Sequence, residues 1–407
     1  MEEKRLIPIK RFSGFTSDWS KNKLENLASF SKGKGYSKKD LIDAGHQLIL
    51  YGRLYTKYET VIQSVDTHTI KQENSLLSKG NEVIVPSSGE TKEDIARASA
   101  ILEPNIIIGG DLNVIIPSKE LDSVFLALNI SNGFCQSELM KRAQGSSVVH
   151  LYNEDLISVT LHFPSIKEQR KIGAFFKGLD ERIANQERKI AKVKALKDAY
   201  LTEMFPQEGE TVPKRRFKGF EDEWESVELS SLTEYANGMG HESLVVADGK
   251  FELVNLNSIS IDGYFKPSGK YINEASGLLE KNDLIMILSD VGHGDLLGRV
   301  AIIPESKKYV LNQRVASLKP NKLIEPLFLY FNINKNQKYF KFKGAGMSQL
   351  NISKEVVENF IVLMPSKEEQ KLIGKFCKNL DDQIATEEAK LDKLKQTKKA
   401  YLEEMFV

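Results

Sequence analysis

Only two cysteines and two tryptophans occur among the 407 residues. Cys135 and Cys377 lie far apart with no redox or metal-ligand spacing, which argues against a disulfide framework and fits a reducing, cytoplasmic compartment. Cys377 aligns with Phe176 of an internal repeat described below, so it reads as a packing residue. The six histidines are scattered and suggest no zinc cluster. No apolar run reaches the length of about 18 residues that a membrane span needs. The start, Met1-Glu2-Glu3-Lys4-Arg5, lacks the apolar core of a secretory signal. Net charge is only +1, so sequence-independent attraction to phosphate is weak, and any binding to DNA would be expected to need a partner.

Catalytic signatures are missing as well. There is no P-loop, and no methyltransferase tetrad of Asn or Asp, two prolines and an aromatic. Gly33-Lys34-Gly35 and Gly292-His293-Gly294 are lone glycine pairs that read as turns. Glu305-Ser306-Lys307 with Asp283 or Asp295 faintly suggests a nuclease, but the first half has no matching Glu-x-Lys. No Ser/His/Asp set can be picked out.

What is present is repetition. Pro164 to Phe205 returns without a gap as Pro365 to Phe406, with 23 of 42 positions identical. A second repeat lies upstream of each copy. Pro8-Ile9-Lys10-Arg11-Phe12-Ser13-Gly14-Phe15 with Trp19 recurs as Pro213-Lys214-Arg215-Arg216-Phe217-Lys218-Gly219-Phe220 with Trp224, echoed at Leu24/Leu229, Leu27/Leu232 and Gly33/Gly238. The period is far too long for a solenoid, so the chain is a duplicated domain pair. The interiors between these repeats resemble each other much less than the repeats do.

Each lysine-rich repeat carries apolar residues at a spacing of 3.5. Ile172, Phe175, Leu179, Ile183, Ile190, Val193 and Tyr200 form one stripe; Ile373, Phe376, Leu380, Ile384, Leu391, Leu394 and Tyr401 form the other. Gln186 and Glu387 interrupt the stripes. Pro164 and Pro365 mark the starts, with Glu168 and Glu369 in the first turn, where the helix dipole favours acid. Two helices of about 40 residues, roughly 60 Å long, are expected. A stripe of this kind needs a partner, and the other copy supplies it. Two related halves pack most simply about a pseudo-two-fold axis, which makes the helices antiparallel and sends the interiors to opposite ends of a rod. The basic motifs Lys10-Arg11 and Lys214-Arg215-Arg216 could touch phosphate, but in the repeated part they fit better as closures of each half onto the helices.

Both interiors read as short strands with one or two short helices, so the fold class is α+β. Strands are expected at Glu82 to Pro86, Asn105 to Gly110 and Val114 to Ile116, and at Asp283 to Leu288, Arg299 to Ile303 and Val315 to Leu318. Leu121 to Asn129 and Pro326 to Phe331 read as helices. Side chains able to read base edges gather around the strands. They are Ser87, Ser88, Thr91, Asp111, Asn113, Ser146, Ser147 and His150 in the first interior. In the second they are Ser289, His293, Arg299, Asn312, Gln313, Arg314, Ser348 and Gln349. Loops are polar anyway, so the suggestion rests on the paired occurrence. The residues alone also admit a coiled-coil adaptor that binds proteins, or a nuclease with an unrecognised site.

The whole pattern resembles the specificity subunits of type I restriction–modification systems. Pro164 to Phe205 and Pro365 to Phe406 look like the two family helices that open with Pro-x-x-x-x-Gln-x-x-Ile-Gly. Asn282 to Ile285, Gly298 to Pro304, Leu311 to Ala316 and Leu350 to Ser353 look like one type of target-recognition domain. Pro86 to Thr91, Gly109 to Asn113 and Ala143 to Tyr152 look like another. The resemblance implies two α/β target-recognition domains separated by two long antiparallel helices forming an intramolecular coiled coil. The domains are 1–163, then the central helix 164–206, then a linker and second domain 207–364, and the C-terminal helix 365–407. It further implies a non-catalytic chain whose domains each read half of a split, asymmetric double-stranded DNA site. The helices would set the gap and dock two methyltransferase subunits, joined by restriction/translocase subunits. S-adenosylmethionine, ATP and Mg would sit on those partners, with no cofactor or metal in this chain and no membrane contact.

Overall fold

The computed structural model describes residues 6–145, 148–291, 294–346 and 349–406. It divides into two units, residues 1–187 with 389–407 and residues 188–388. Each unit takes one interior and one segment of each long helix.

In the first unit a five-stranded sheet runs in the order Ala28–Lys32, Leu112–Pro117, Glu82–Pro86, Ser99–Ile101, Val61–Ile62. Beside it lies a four-stranded sheet, His68–Thr69, His46–Ile49, Pro104–Ile108, Leu77–Lys79. Val83, Val85 and Ile115 join the core under helix Ser123–Ile130, whereas Ile84 and Val114 join Ile49 and Ile108 on the opposite face. Both faces of these strands are therefore buried, which is why they read as unbroken apolar runs rather than alternating ones.

The second unit repeats the plan with fewer strands. Thr233–Asn237, Val315–Pro320, Leu284–Ile287 and Val300–Ile302 form an antiparallel sheet. Tyr271–Ile272, Phe251–Val254 and Tyr309–Leu311 form a three-stranded one. Helix Pro326–Lys335 takes the place of Ser123–Ile130. The expectation of one or two short helices per interior is too low once the short pieces Arg53–Thr56, Lys92–Ile95, Asn153–Ile157 and Lys354–Glu358 are included. Each interior adds a second helix directly after the first, Gly133–Arg142 and Gln337–Lys343. The single-turn helix Lys92–Ile95 rests on its cap, Thr91, and not on periodicity.

The long helices span Ile166–Glu203 and Lys367–Met405, about 57 Å each at the usual rise. Their stripes are buried at Ile172, Leu179, Ile190 and Val193, and at Ile373, Leu380 and Ile384. In the first unit Lys398 pairs with Asp180 (2.5 Å) and Lys395 with Glu187 (2.7 Å). In the second unit Lys197 pairs with Asp381 (2.6 Å) and Lys194 with Glu388 (2.7 Å). These are the same pairs displaced by 201 residues (398 − 197 = 381 − 180 = 201), and the numbering falls on one helix as it rises on the other, so the segments are antiparallel within each unit. Glu387, polar in the stripe, is buried against Lys189 at 3.0 Å.

The repeated motifs have identifiable duties. Buried Gln169 accepts from Asp122 N (2.9 Å) and donates to Pro164 O (2.9 Å) and Glu120 O (3.0 Å). Gln370 does the same with Glu325 N, Pro365 O and Leu323 O. Arg11 holds Glu168 with two hydrogen bonds (2.6 and 2.7 Å), and Arg216 holds Glu369 (2.9 and 2.7 Å). Lys10 pairs with Glu404 and Arg215 with Glu203. The basic motifs thus clasp the helices. Phe406 packs against Trp19 (6.4 Å between ring centres) and Phe125 (5.8 Å), and Phe205 against Trp224 (6.0 Å) and Phe328 (5.4 Å). The tail of the C-terminal helix closes the first unit, and the tail of the central helix closes the second.

Candidate nucleic-acid interface

Each unit presents one edge where a three-residue turn meets a short two-stranded ladder. In the first, Gly109–Asp111 joins strand Pro104–Ile108 to Leu112–Pro117; in the second, Asn312–Arg314 joins Tyr309–Leu311 to Val315–Pro320. The backbone around both turns is held alike. Ser87 N donates to Asp111 O (2.8 Å), and Leu288 N to Arg314 O (3.0 Å). Gly33 and Gly238 press onto the turns so closely that a Cβ on either would lie 1.8 Å from the carbonyl oxygen of Gly109 or of Asn312. No other residue fits, which accounts for the echo between these glycines in the sequence.

The adjoining ladder is also shared. Ser88–Gly89 pairs with Val149–His150, and Ser289–Asp290 with Leu350–Asn351. Beside each, Gln144 exchanges backbone hydrogen bonds with His150 (3.1 and 2.7 Å), and Ala345 with Asn351 (3.0 and 2.9 Å).

On this frame the expected residues separate. Ser88 Oγ lies 3.2 Å from His150 Nδ1, and Gln349 Nε2 donates to Ser289 Oγ and to Asn351 Oδ1 (3.1 Å). Asp111 and Arg314 are exposed at the neighbouring turns. Gln313 is exposed and leans on Glu242 at 3.4 Å. Others face inward. Asn113, 1% exposed, donates to Leu151 O (2.8 Å); Asn312, 3% exposed, accepts from His241 N (3.0 Å) and donates to Glu242 (2.8 Å). These bonds, that from Asn312 first, hold the Glu242 carboxyl below its ordinary range. Ser87 is buried, and Thr91 caps a helix.

Arg299 stands apart. Its guanidinium donates to Asn334 O (3.3 Å) and lines a cavity of about 540 Å³ with Lys197, Tyr264 and Tyr330, where burial lowers its pKa. Ser146, Ser147, His293 and Ser348 lie outside the described residues. Two residues at the edge escaped the sequence reading. Tyr152, exposed, stacks on His150 with ring centres 6.0 Å apart. Asn351 occupies the place of His150, and the 201-residue offset (351 − 150) would have found it.

The nuclease-like residues do not assemble. Glu305 pairs with Lys308, Asp295 pairs with Lys341 (2.8 Å), and buried Asp283 accepts from Glu280 N. Among the described residues no group of His, Cys, Asp and Glu could hold a metal ion, and no helix is long and apolar enough to cross a membrane.

Two α+β units of one plan, built on paired antiparallel helices and each carrying a differently furnished polar edge, define a duplicated recognition protein. The sequence model described as "Type I restriction modification DNA specificity domain" matches residues 16–195 and again 221–396, and the chain belongs to this family. The type I restriction enzyme MjaVIII specificity subunit of Methanocaldococcus jannaschii is 23% identical over 188 residues, 46% of this chain and 42% of that protein, so the match spans less than half of that relative's length. A second sequence from the same organism, assigned to the MjaX system, is 23% identical over 318 residues, 73% of this chain and 71% of its own length. The crystal structure of a type I restriction–modification S subunit from M. genitalium has the same fold, with TM-score 0.64, 17% identity, and coverage of 98% of this chain and 99% of that one.

Proposed function

We propose that this chain is the non-catalytic DNA-specificity subunit of a type I restriction–modification complex in the cytoplasm. Each unit reads one half of an asymmetric bipartite duplex site. The helices set the spacer between the halves and dock two methyltransferase subunits, which carry S-adenosylmethionine. Restriction/translocase subunits, with ATP and Mg, complete the assembly.

The observation that carries this reading is the contrast at the two edges: one backbone frame, clamped by Gly33 or Gly238, offers Asp111, Ser88 and His150 in one unit and Arg314, Ser289 and Asn351 in the other. Hydrogen-bonding side chains on fixed turns are what base readout requires, and different side chains specify different half-sites. A net charge of +1 leaves much of the phosphate grip to the methyltransferase subunits, which must also extrude the base to be methylated.

Selection from random duplexes by the chain with its methyltransferase subunits tests this. A split, asymmetric consensus is expected, and exchanging the first interior for a relative's should change one half-site only. Recovery of no bipartite sequence overturns the reading. Inserting one heptad at matched points of both helices should lengthen the spacer, and an unchanged gap would remove the ruler from the proposal.

A further inference from the structure

We infer that Asp111 and Arg314 are the base-discriminating side chains of their units, Asp111 accepting a hydrogen bond from cytosine N4 and Arg314 donating to O6 and N7 of a guanine. The inference rests on the DNA-recognition reading above and names the chemistry of that same site.

The two residues occupy the same position of the duplicated frame. Each is the last residue of its turn, and each carbonyl accepts the amide that follows the neighbouring strand, Ser87 N or Leu288 N. Both adopt left-handed backbone, φ 59° at Asp111 and 69° at Arg314. That conformation is acceptable for glycine, tolerated by aspartate and disfavoured for most other residues with a Cβ. Arginine gains nothing from it locally, yet Arg314 is held there. Both side chains are exposed, and neither has a hydrogen bond or ion pair among the described residues. Neither stabilises the fold through its polar group, so a structural duty does not explain them.

Among the described residues, the other expected ones are engaged or placed elsewhere. Asn113 and Asn312 spend their amides inside the unit, Thr91 caps a helix, and Arg299 faces the cavity. His150 meets Ser88, and Gln349 meets Ser289. Asp111 and Arg314 combine a fixed backbone with an uncommitted side chain, and they differ in the property that separates base edges. Carboxylate accepts only, and guanidinium donates only through a planar fork. In the major groove cytosine presents its amino donor, and guanine presents the acceptor pair that fits arginine in two-pronged fashion.

The test compares base preferences of the full chain with its methyltransferase subunits, using duplexes that carry every substitution of the selected site. Wild type should prefer guanine at one position of one half-site by about tenfold or more. Arg314→Ala should abolish that preference alone, and Arg314→Lys should retain part of it. Asp111→Ala should relax one cytosine in the other half-site, and Asp111→Asn should shift that position toward adenine. Three results overturn the inference: preference tables identical to wild type, a change at a position that is not guanine or cytosine, or a uniform weakening across all sequences with a shallower salt dependence. The last would make the residue a phosphate contact. Thermal unfolding of each variant, unchanged from wild type, excludes misfolding as the cause. Wild type that selects no bipartite site would defeat the functional reading itself, whereas selective wild type with indifferent variants defeats only this assignment.

Discussion

The contacts that close the two units can be superimposed by number. Arg11–Glu168 answers to Arg216–Glu369, Lys398–Asp180 to Lys197–Asp381, and Phe406 on Trp19 to Phe205 on Trp224. The turns at the polar edges do not match in this way: Gly109-Gly110-Asp111 stands where Asn312-Gln313-Arg314 does. Closure is specified twice in the same residues, while the exposed turn is specified once in each unit. A clamped backbone lets the last turn residue differ without repacking, because Asp111 and Arg314 are exposed and neither side chain has a hydrogen bond or ion pair among the described residues. Asn312, by contrast, is buried and bonded within its own unit.

That comparison can be broken at the closures first. Phe205→Ala and Phe406→Ala each remove a buried aromatic and should destabilise the protein by about 3–5 kcal/mol in denaturant unfolding. Hydrogen exchange should place the loss of protection in the second unit for Phe205→Ala and in the first for Phe406→Ala; equal loss in both would end the picture of separately closed units. Arg11→Ala and Arg216→Ala leave Glu168 and Glu369 buried without a partner, so each should cost about 3–5 kcal/mol. Arg215→Ala removes an exposed pair and should leave the denaturant midpoint nearly unchanged. Similar effects for Arg215 and Arg216 would show that burial does not govern these pairs.

Two smaller tests sharpen the comparison where the copies differ. A Cβ on Gly374 would lie 2.8 Å from Leu327 Cβ and 3.0 Å from Phe328 N, whereas one on Gly173 would meet Val124 side-chain atoms at 3.3 Å. Gly374→Ala should therefore cost about 1–3 kcal/mol by overpacking, and Gly173→Ala less, as read from urea midpoints. In the second unit Asn312 meets Glu242, whereas the buried Asn113 of the first unit meets a backbone carbonyl. The folded-state pKa of Glu242 lies below the ordinary carboxylate value, so the stability it lends is complete above that value and disappears as pH falls through the lowered one. Amide protection of His241 should fade as acidification passes below the ordinary carboxylate range, and Glu242→Gln should remove that dependence. Unchanged acid sensitivity in Glu242→Gln would assign the loss to another group.

Much of the scaffold was legible because its signals are local or periodic. The stripes on the helices, the prolines that start them, and Gln169 and Gln370 at fixed distance from those prolines repeat in the sequence. The second helices were not legible. Gly133–Arg142 starts on a left-handed glycine (φ 64°) and buries only Cys135 and Leu139, too little for a periodic signal. Arg299 read like Arg314, since both are arginines near a strand end, and only the fold separates a cavity wall from an exposed turn.

By itself the sequence determined the duplication, the two long helices with their mutual need for a partner, and the residues that bind each half together. Those follow from spacing of 3.5 residues and from motifs within a few residues of one another. The tertiary structure decided which polar side chains are spent and which remain available. Asn113 is consumed by a carbonyl 38 residues away, and Asn312 by a carboxylate 70 residues away. The carbonyls of Asp111 and Arg314 are held by amides that follow a neighbouring strand, and both residues are exposed. Partners so distant along the chain leave no local pattern, and hydrogen-bond satisfaction inside a folded unit is settled only once the strands have paired.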